Sequence, residues 1–113
     1  MLSLTETNLE EYNKEGFLAP IDAISFQDVE TLRTHYNRVK QKSNIDINSI
    51  LRSKPHLVFP WLYDLVKDPA ITDPVSSILG PNLLAWGSSF FAKAANEPGF
   101  VSWHQDANYW GLE

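Results

Sequence analysis

The amino-acid sequence predicts an α+β protein in which helices come first and antiparallel strands follow. Apolar residues recur at helical spacing up to about residue 80, and over residues 83–94 they alternate with a period of two. Half of the fourteen aromatic residues fall between Trp86 and Trp110, where only three side chains are charged. Dense aromatic residues with little charge are typical of half-buried strands. We therefore predict that residues 1–113 form one domain, about 1–80 mainly helical and about 82–109 antiparallel strands.

The first predicted helix covers about residues 7–15. Thr7 and Glu10 form a T-x-x-E capping box, and Gly16 is a typical C-terminal stop. The apolar run at 17–21 suits an edge strand, because its proline cannot donate a hydrogen bond to a sheet.

The second predicted helix covers about residues 26–42. Ser25 followed by Asp28 is a typical N-cap. Four apolar side chains then recur at i, i+3, i+7 and i+10, which is the stripe of an amphipathic helix: Val29, Leu32, Tyr36 and Val39. Residues 43–58 show no clear period, and we predict mainly loop there.

Two further helical patterns follow. One starts near Pro60, and the other has Asp68 as N-cap, Pro69 as first residue and Gly80 as its end. Pro74 interrupts the second pattern because it lacks an N–H group. Either that helix kinks at Pro74 or it restarts there.

The strand region contains two runs separated by a turn. The first run alternates over residues 83–94, and the second extends from about residue 100 to 108. Residues 95–99, with the composition Ala-Asn-Glu-Pro-Gly, have hairpin-turn chemistry. The two runs are predicted to pair as an antiparallel hairpin.

Composition excludes several classes of function. The net charge is −5, which disfavours nucleic acid or an anionic membrane as main partner, because both select a clustered basic surface. No apolar run approaches the roughly 18 residues of a membrane span, and the first residues lack a signal-peptide layout. Without cysteine there is no disulfide or thiol nucleophile. We expect a cytoplasmic protein whose partner is a small-molecule substrate, with its oligomeric state open.

One pair of residues in the aromatic segment suits a metal ion. On a strand, His104 and Asp106 point to the same face, so an imidazole nitrogen and a carboxylate oxygen can take adjacent positions on one ion. They are two-thirds of the 2-His-1-carboxylate triad of non-haem Fe(II) oxygenases. An H-x-D match by chance is expected in about one such sequence in five. Alternatively, His104 is a packed core histidine and Asp106 a turn carboxylate.

The residues around this pair favour the metal site. An aspartate within an aromatic strand is costly to bury unless it is paired or metal-bound. Trp103, Tyr109 and Trp110 would give the water-excluding wall that such a site needs. An aromatic-rich sandwich core is the competing interpretation.

Three segments carry a resemblance to a known family. They are WHQD at 103–106 followed by YWGL at 109–112, KPHLVFPWL at 54–62 and GSSFFAK at 87–93. Together they resemble a bacterial branch of the phytanoyl-CoA dioxygenase-like proteins, over about residue 12 to 113. The resemblance implies an Fe(II)- and 2-oxoglutarate-dependent oxygenase on a double-stranded β-helix (jelly-roll) core. It implies hydroxylation of a small organic substrate, with 2-oxoglutarate decarboxylated to succinate.

The resemblance also implies roles for individual residues. His104 and Asp106 match the first two iron ligands, and an aspartate in the second position distinguishes the chain from related halogenases. Lys93 and Gln105 are candidate contacts of the co-substrate, with a simple rim lysine as the alternative for Lys93. Trp110 is a candidate for the wall of the substrate pocket, with simple packing as its alternative.

Two parts of the family pattern have no counterpart among the 113 residues: a distal histidine ligand and an arginine that binds 2-oxoglutarate. His35 and His56 suit packing or exposed roles better than a ligand role. We therefore expect the N-terminal portion of an oxygenase domain, a poor catalyst by itself. A non-catalytic interaction module and a cupin-type metal protein without 2-oxoglutarate are the alternatives.

Overall fold

The computed structural model describes residues 3–44, 46–106 and 109, and the regular structure of this part of the chain is helical. The five α-helices are α1 (Glu6–Glu15), α2 (Phe26–Lys42), α3 (Ile47–Ile50), α4 (Pro60–Val66) and α5 (Pro69–Leu79), with a 3-10 helix (Pro55–Leu57) between α3 and α4. Within these residues, none of the helices has the length and apolar character needed to cross a membrane.

The first two helices follow the sequence prediction closely. Helix α1 is capped by Thr5, whose hydroxyl accepts from the backbone N–H of Asn8 at 3.2 Å, so the predicted capping box at Thr7 is wrong by two residues. Gly16 ends α1 in the left-handed region, at φ 79°. Helix α2 has the predicted bounds, and Ser25 caps it by accepting from the N–H of Asp28.

The loop prediction for residues 43–58 is wrong in part. Asp46 caps the single turn of α3, accepting from the backbone N–H of Ser49 at 3.2 Å. The 3-10 helix begins at Pro55, which is fully buried, and His56 is also buried. This stretch therefore contributes buried residues to the packed core, while other side chains in it remain exposed.

Helix α5 begins as predicted and passes through its internal proline. Asp68 caps it by accepting from the N–H of Ala70 at 2.8 Å, and Gly80 follows its last residue. Pro74 lies inside one continuous helix and is buried, so the restart alternative is wrong. Burial of the proline ring offsets the hydrogen bond that its missing N–H cannot make.

The core forms where α2, α3 and α4 meet. Its buried side chains are Ile47, Leu51 and Leu62. Partly buried apolar side chains surround them: Tyr36, Val39, Ile50, Phe59, Trp61, Leu65, Phe90 and Ala92. Aromatic rings close the cluster, with the Phe90 ring centroid 5.9 Å from Tyr36 and 6.3 Å from Trp61.

The predicted α+β fold class is wrong for the described part of the chain. Neither 17–21 nor 83–94 nor 100–106 forms a strand, and no described residue belongs to a sheet. Among the residues that the structure describes, neither the antiparallel hairpin nor the strands of a double-stranded β-helix core are formed. The turn itself forms at Ala95 and Asn96, but the runs that flank it do not pair with each other.

Residues 88–92 do not form a strand because of the hydrogen-bond partners they have. Phe90 donates its N–H to the carbonyl of Leu51, and the carbonyl of Ser88 accepts from the N–H of Lys54, both at 3.0 Å. The carboxamide of Asn48 accepts from the N–H of Ala92 and donates to its carbonyl, both at 2.8 Å. These partners are loop backbone and one side chain, so the segment is held along one edge without a second strand.

The alternation of side chains over this segment is nevertheless confirmed. Ser88, Phe90 and Ala92 are half-buried against the helices, and the residues between them are exposed. Alternation of apolar and polar residues therefore determines which side chains of this segment face the core. To form a β-strand, the segment would also need a neighbouring strand that supplies a ladder of hydrogen bonds.

Candidate metal centre

His104 and Asp106 lie side by side at the C-terminal end of the described residues. The Nε2 atom of His104 is 3.1 Å from the Oδ1 atom of Asp106. The two side chains share one face of an irregular segment, so their proximity does not depend on the predicted strand. Both are open to solvent, with 36% of the His104 side chain and 65% of the Asp106 side chain exposed.

A backbone carbonyl fixes the orientation of the imidazole. The Nδ1 atom of His104 lies 2.8 Å from the carbonyl oxygen of Ser102. Since a carbonyl oxygen can only accept, Nδ1 must carry a proton and donate it. The other nitrogen, Nε2, is thereby directed at the carboxylate of Asp106, which is how histidine ligands are usually oriented by their surroundings.

The same contacts change the proton affinity of the imidazole. The carbonyl of Ser102 raises the pKa of His104 above its ordinary value of 6.5, and the charge and hydrogen bond of Asp106 raise it further. In the protonated form, both ring nitrogens donate, one to each partner. A proton therefore occupies the space between Nε2 and Oδ1 that a metal ion would take.

The pair fits a divalent metal ion as two of its ligands. Two ligands about 2.1 Å from one ion, at a right angle to each other, are about 3.0 Å apart. The spacing of Nε2 and Oδ1 is close to that value, and imidazole with carboxylate is a donor set that suits Fe(II). In the part of the chain that the structure describes, no third His, Cys, Asp or Glu joins them.

The other two histidines are engaged in packing. The ring of His35 stacks on Trp61, with centroids 5.5 Å apart and planes 9° from parallel. His56 is buried, and its Nδ1 lies 2.6 Å from the hydroxyl of Ser88. Both positions agree with the packing roles favoured by the sequence.

The aromatic wall expected around the pair is not formed by the described residues. The side chain of Trp103 is fully exposed, and that of Tyr109 is 74% exposed. The ring of Tyr109 does meet His104 edge to face, at a centroid distance of 5.8 Å. Trp110, the candidate wall of the substrate pocket, lies outside the described residues.

The two candidate co-substrate contacts lie in different places, and Lys93 has its contacts away from the pair. Lys93 donates from Nζ to the carbonyl of Glu97 at 2.8 Å and lines an apolar cavity with Phe91 and Phe100. Gln105 is exposed between the two candidate ligands in the sequence. His104 and Asp106 are therefore adjacent in the structure, whereas Lys93 lines a cavity that includes neither of them.

Sequence reasoning missed two cations that share a cleft with Asp106. Arg52, Lys54 and Trp86 line this cleft, whose volume is about 650 Å³. Lys54 has a φ of 48°, which costs roughly 1–2 kcal/mol for a residue with a Cβ. Neither this conformation nor the position of the cleft has a signature in the sequence, because both arise from long-range contacts of a segment without periodicity.

The comparisons with known proteins agree with the resemblance noted in the sequence. The family model of phytanoyl-CoA dioxygenase (PhyH) matches residues 12–113. The searches of curated proteins and of solved structures found no match. The family match covers nearly the whole chain and includes both candidate metal ligands. The chain belongs to the phytanoyl-CoA dioxygenase family.

Proposed function

We propose that this chain is part of a non-haem Fe(II)- and 2-oxoglutarate-dependent dioxygenase that hydroxylates a small organic substrate. The observation that carries the proposal is the 3.1 Å approach of His104 Nε2 to Asp106 Oδ1 within a chain of this family. In the proposed reaction, 2-oxoglutarate is decarboxylated to succinate. The proposal also places the protein in the cytoplasm.

The two residues have distinct tasks in this proposal. His104 presents a neutral nitrogen, held in place by the carbonyl of Ser102, and Asp106 contributes one negative charge. When bound, Fe(II) supplies the oxygen-activating chemistry that no protein side chain provides. The carboxylate also leaves no space for a halide in its position, so hydroxylation is the proposed outcome.

Two protein ligands hold iron only weakly. We propose that the third ligand and the group that binds the far carboxylate of 2-oxoglutarate lie outside the described residues. The described chain alone then binds Fe(II) with low affinity and turns over little 2-oxoglutarate.

The test uses the full-length gene product under Fe(II), 2-oxoglutarate and oxygen, with release of succinate as the measurement. His104→Ala and Asp106→Ala should each lower succinate release at least a hundredfold, because each removes an iron ligand. Asp22→Ala is the matched control, since Asp22 is an exposed carboxylate far from the pair in sequence. This control should release succinate at the wild-type rate.

Three other outcomes would contradict the proposal in whole or in part. Succinate release that persists in His104→Ala would overturn the ligand assignment. Fe(II) binding that depends on His104, without any use of 2-oxoglutarate, would instead indicate a cupin-type metal protein. A protein that neither binds iron nor releases succinate would be a non-catalytic module.

A further inference from the structure

The cleft that contains Asp106 is locally positive in an otherwise acidic chain. Two of its lining side chains are the cations Arg52 and Lys54, and among the described residues Asp106 is its one acidic group. With His104 neutral, the cleft has a net positive charge, whereas the whole chain carries −5. Such a local reversal of charge attracts anions into the cleft.

The two cations lack carboxylate partners within the described residues. The ion pairs in this part of the structure join Lys14 to Glu15, Arg33 to Glu30 and His104 to Asp106. The ammonium of Lys54 lies instead over the ring of Trp86, 5.1 Å from its centroid. Both cations are exposed, so their donors are available to a ligand.

The backbone that carries these side chains is anchored. Leu51, directly before Arg52, is completely buried, and its carbonyl accepts from the N–H of Phe90 at 3.0 Å. The N–H of Lys54 donates to the carbonyl of Ser88 at the same distance, and the next residue, Pro55, is buried. Arg52 and Lys54 therefore extend from a fixed base, which lowers the entropy lost when they bind a ligand.

We infer that Arg52 and Lys54 bind an anionic group of the substrate, a carboxylate or a phosphate, in the cleft beside Asp106. Calling the bound molecule a substrate rests on the proposed function, whereas the anion site itself is argued only from the residues of the cleft. A guanidinium donates two parallel hydrogen bonds to such a group, and the ammonium adds a point charge. The rest of a small substrate would then share the cleft with the proposed iron ligand.

The test is a titration of the metal-free chain, labelled with ¹⁵N, at constant ionic strength. The probes are inorganic phosphate and glutarate, a dicarboxylate that lacks the oxo group of 2-oxoglutarate. The readouts are the indole N–H of Trp86 and the backbone N–H of Lys54, and both should shift to saturation. A preference for phosphate or for glutarate identifies which anion the substrate carries.

The variants locate the site. Arg52→Gln and Lys54→Gln should each weaken binding at least about tenfold, because each removes a charge-assisted hydrogen bond. Lys54→Arg should retain binding, and Arg38→Gln, an exposed cation on α2, should bind like the wild type. Thermal unfolding of each variant verifies that it is folded.

Failure of this inference is distinguishable from failure of the proposed function. His104→Ala should keep the anion-induced shifts, because the proposed anion contacts are Arg52 and Lys54 and His104 does not line the cleft. Loss of binding in that variant would place the anion on the imidazole and overturn the inference. So would the absence of saturable shifts, or binding that is unchanged in Arg52→Gln and Lys54→Gln.

Discussion

At the scale of single residues, His104 shows how a short local arrangement orients a candidate ligand. The carbonyl of Ser102 fixes which ring nitrogen carries the proton, and Asp106 faces the other one. The arrangement spans five residues and needs no sheet. This explains why the two side chains of the H-x-D motif are adjacent although residues 100–106 do not form the predicted strand.

The pKa of His104 gives a prediction about protons and metal. In the metal-free chain, the imidazole should titrate above pH 6.5, and Asp106→Asn should lower its midpoint, since the charge of Asp106 raises the pKa. Below the midpoint, a proton competes with the metal, so Fe(II) affinity should fall by about tenfold per pH unit. NMR titration of the ring and anaerobic calorimetry measure the two quantities.

Asp22→Asn is the control and should leave the midpoint unchanged. A midpoint at or below 6.5 in the wild type would contradict the geometry. The raised pKa also affects the free energy of unfolding. Because folding raises the pKa of His104, this residue stabilises the folded state at low pH, and the contribution disappears as the pH rises through the midpoint. The contribution is small, since the group is exposed.

Residues 52 and 54 show the limit of sequence reasoning at this scale. Arg52 and Lys54 belong to a stretch without periodicity, and the left-handed conformation of Lys54 has no marker comparable to glycine. What places them is the contact of residues 51–54 with residues 88–90, which lie more than thirty positions later. A pattern within a short window cannot report such a contact.

At the scale of elements, helices α1, α2, α4 and α5 were predictable because their signals are local, whereas α3 and the 3-10 helix were missed. The stripe of α2 and its cap at Ser25 lie within the helix itself, and so do Asp68 and Pro69 at the start of α5. The cap of α1 was misplaced because Thr5 and Thr7 both precede a polar residue by three positions. The strand prediction for residues 83–94 is wrong for a different reason. Alternation of side chains predicts which side of a segment faces the core, but it does not predict a partner strand.

Hydrogen exchange should reveal the one-sided bonding of residues 88–92. The amides of Phe90 and Ala92 donate to Leu51 and Asn48, so they should exchange slowly. Those of Ser89 and Phe91 should exchange fast, since no described residue accepts from them. Two-dimensional NMR after transfer to D₂O measures all four.

Asn48→Ala should remove the protection at Ala92 and leave that at Phe90 largely intact. It should also lower the free energy of unfolding by roughly 1–3 kcal/mol, the contribution of two hydrogen bonds. Asn37→Ala, at an exposed position of α2, is the control. Equal protection along residues 89–92 would show that the segment pairs on both edges, against the structure.

At the scale of the whole molecule, the distribution of aromatic residues is unusual. Trp86, Phe91, Phe100 and Trp103 are each at least 63% exposed. At 150–250 Å² for a full aromatic side chain, they expose together on the order of 600 Å². Phe91 and Phe100 line one cavity, whereas Trp86 lines the cleft beside Asp106. The aromatic cluster predicted to form a strand core is therefore largely on the surface of the described chain.

This exposure predicts dye binding and self-association. The chain should enhance the fluorescence of anilinonaphthalene sulfonate in native buffer, and its average mass in sedimentation velocity should rise with concentration. Phe100→Ser together with Trp103→Ser should reduce both effects. Phe26→Ser is the control, because Phe26 is exposed alone at the start of α2. A monodisperse monomer without dye binding would contradict the exposure of these side chains.

The pairing of Asn48 with Ala92 has a consequence for the order in which the molecule assembles. It joins positions 44 residues apart, so a long loop must close before it can form. The helices α1 to α5 depend on neighbours in sequence and can form much earlier. During synthesis, the helical part emerges first, and its contacts with residues 88–92 form only after those residues have been synthesised. The cleft beside Asp106 is then completed last, because residues 86–89 help to line it. An anion that binds in this cleft therefore binds only the folded chain and stabilises it against unfolding.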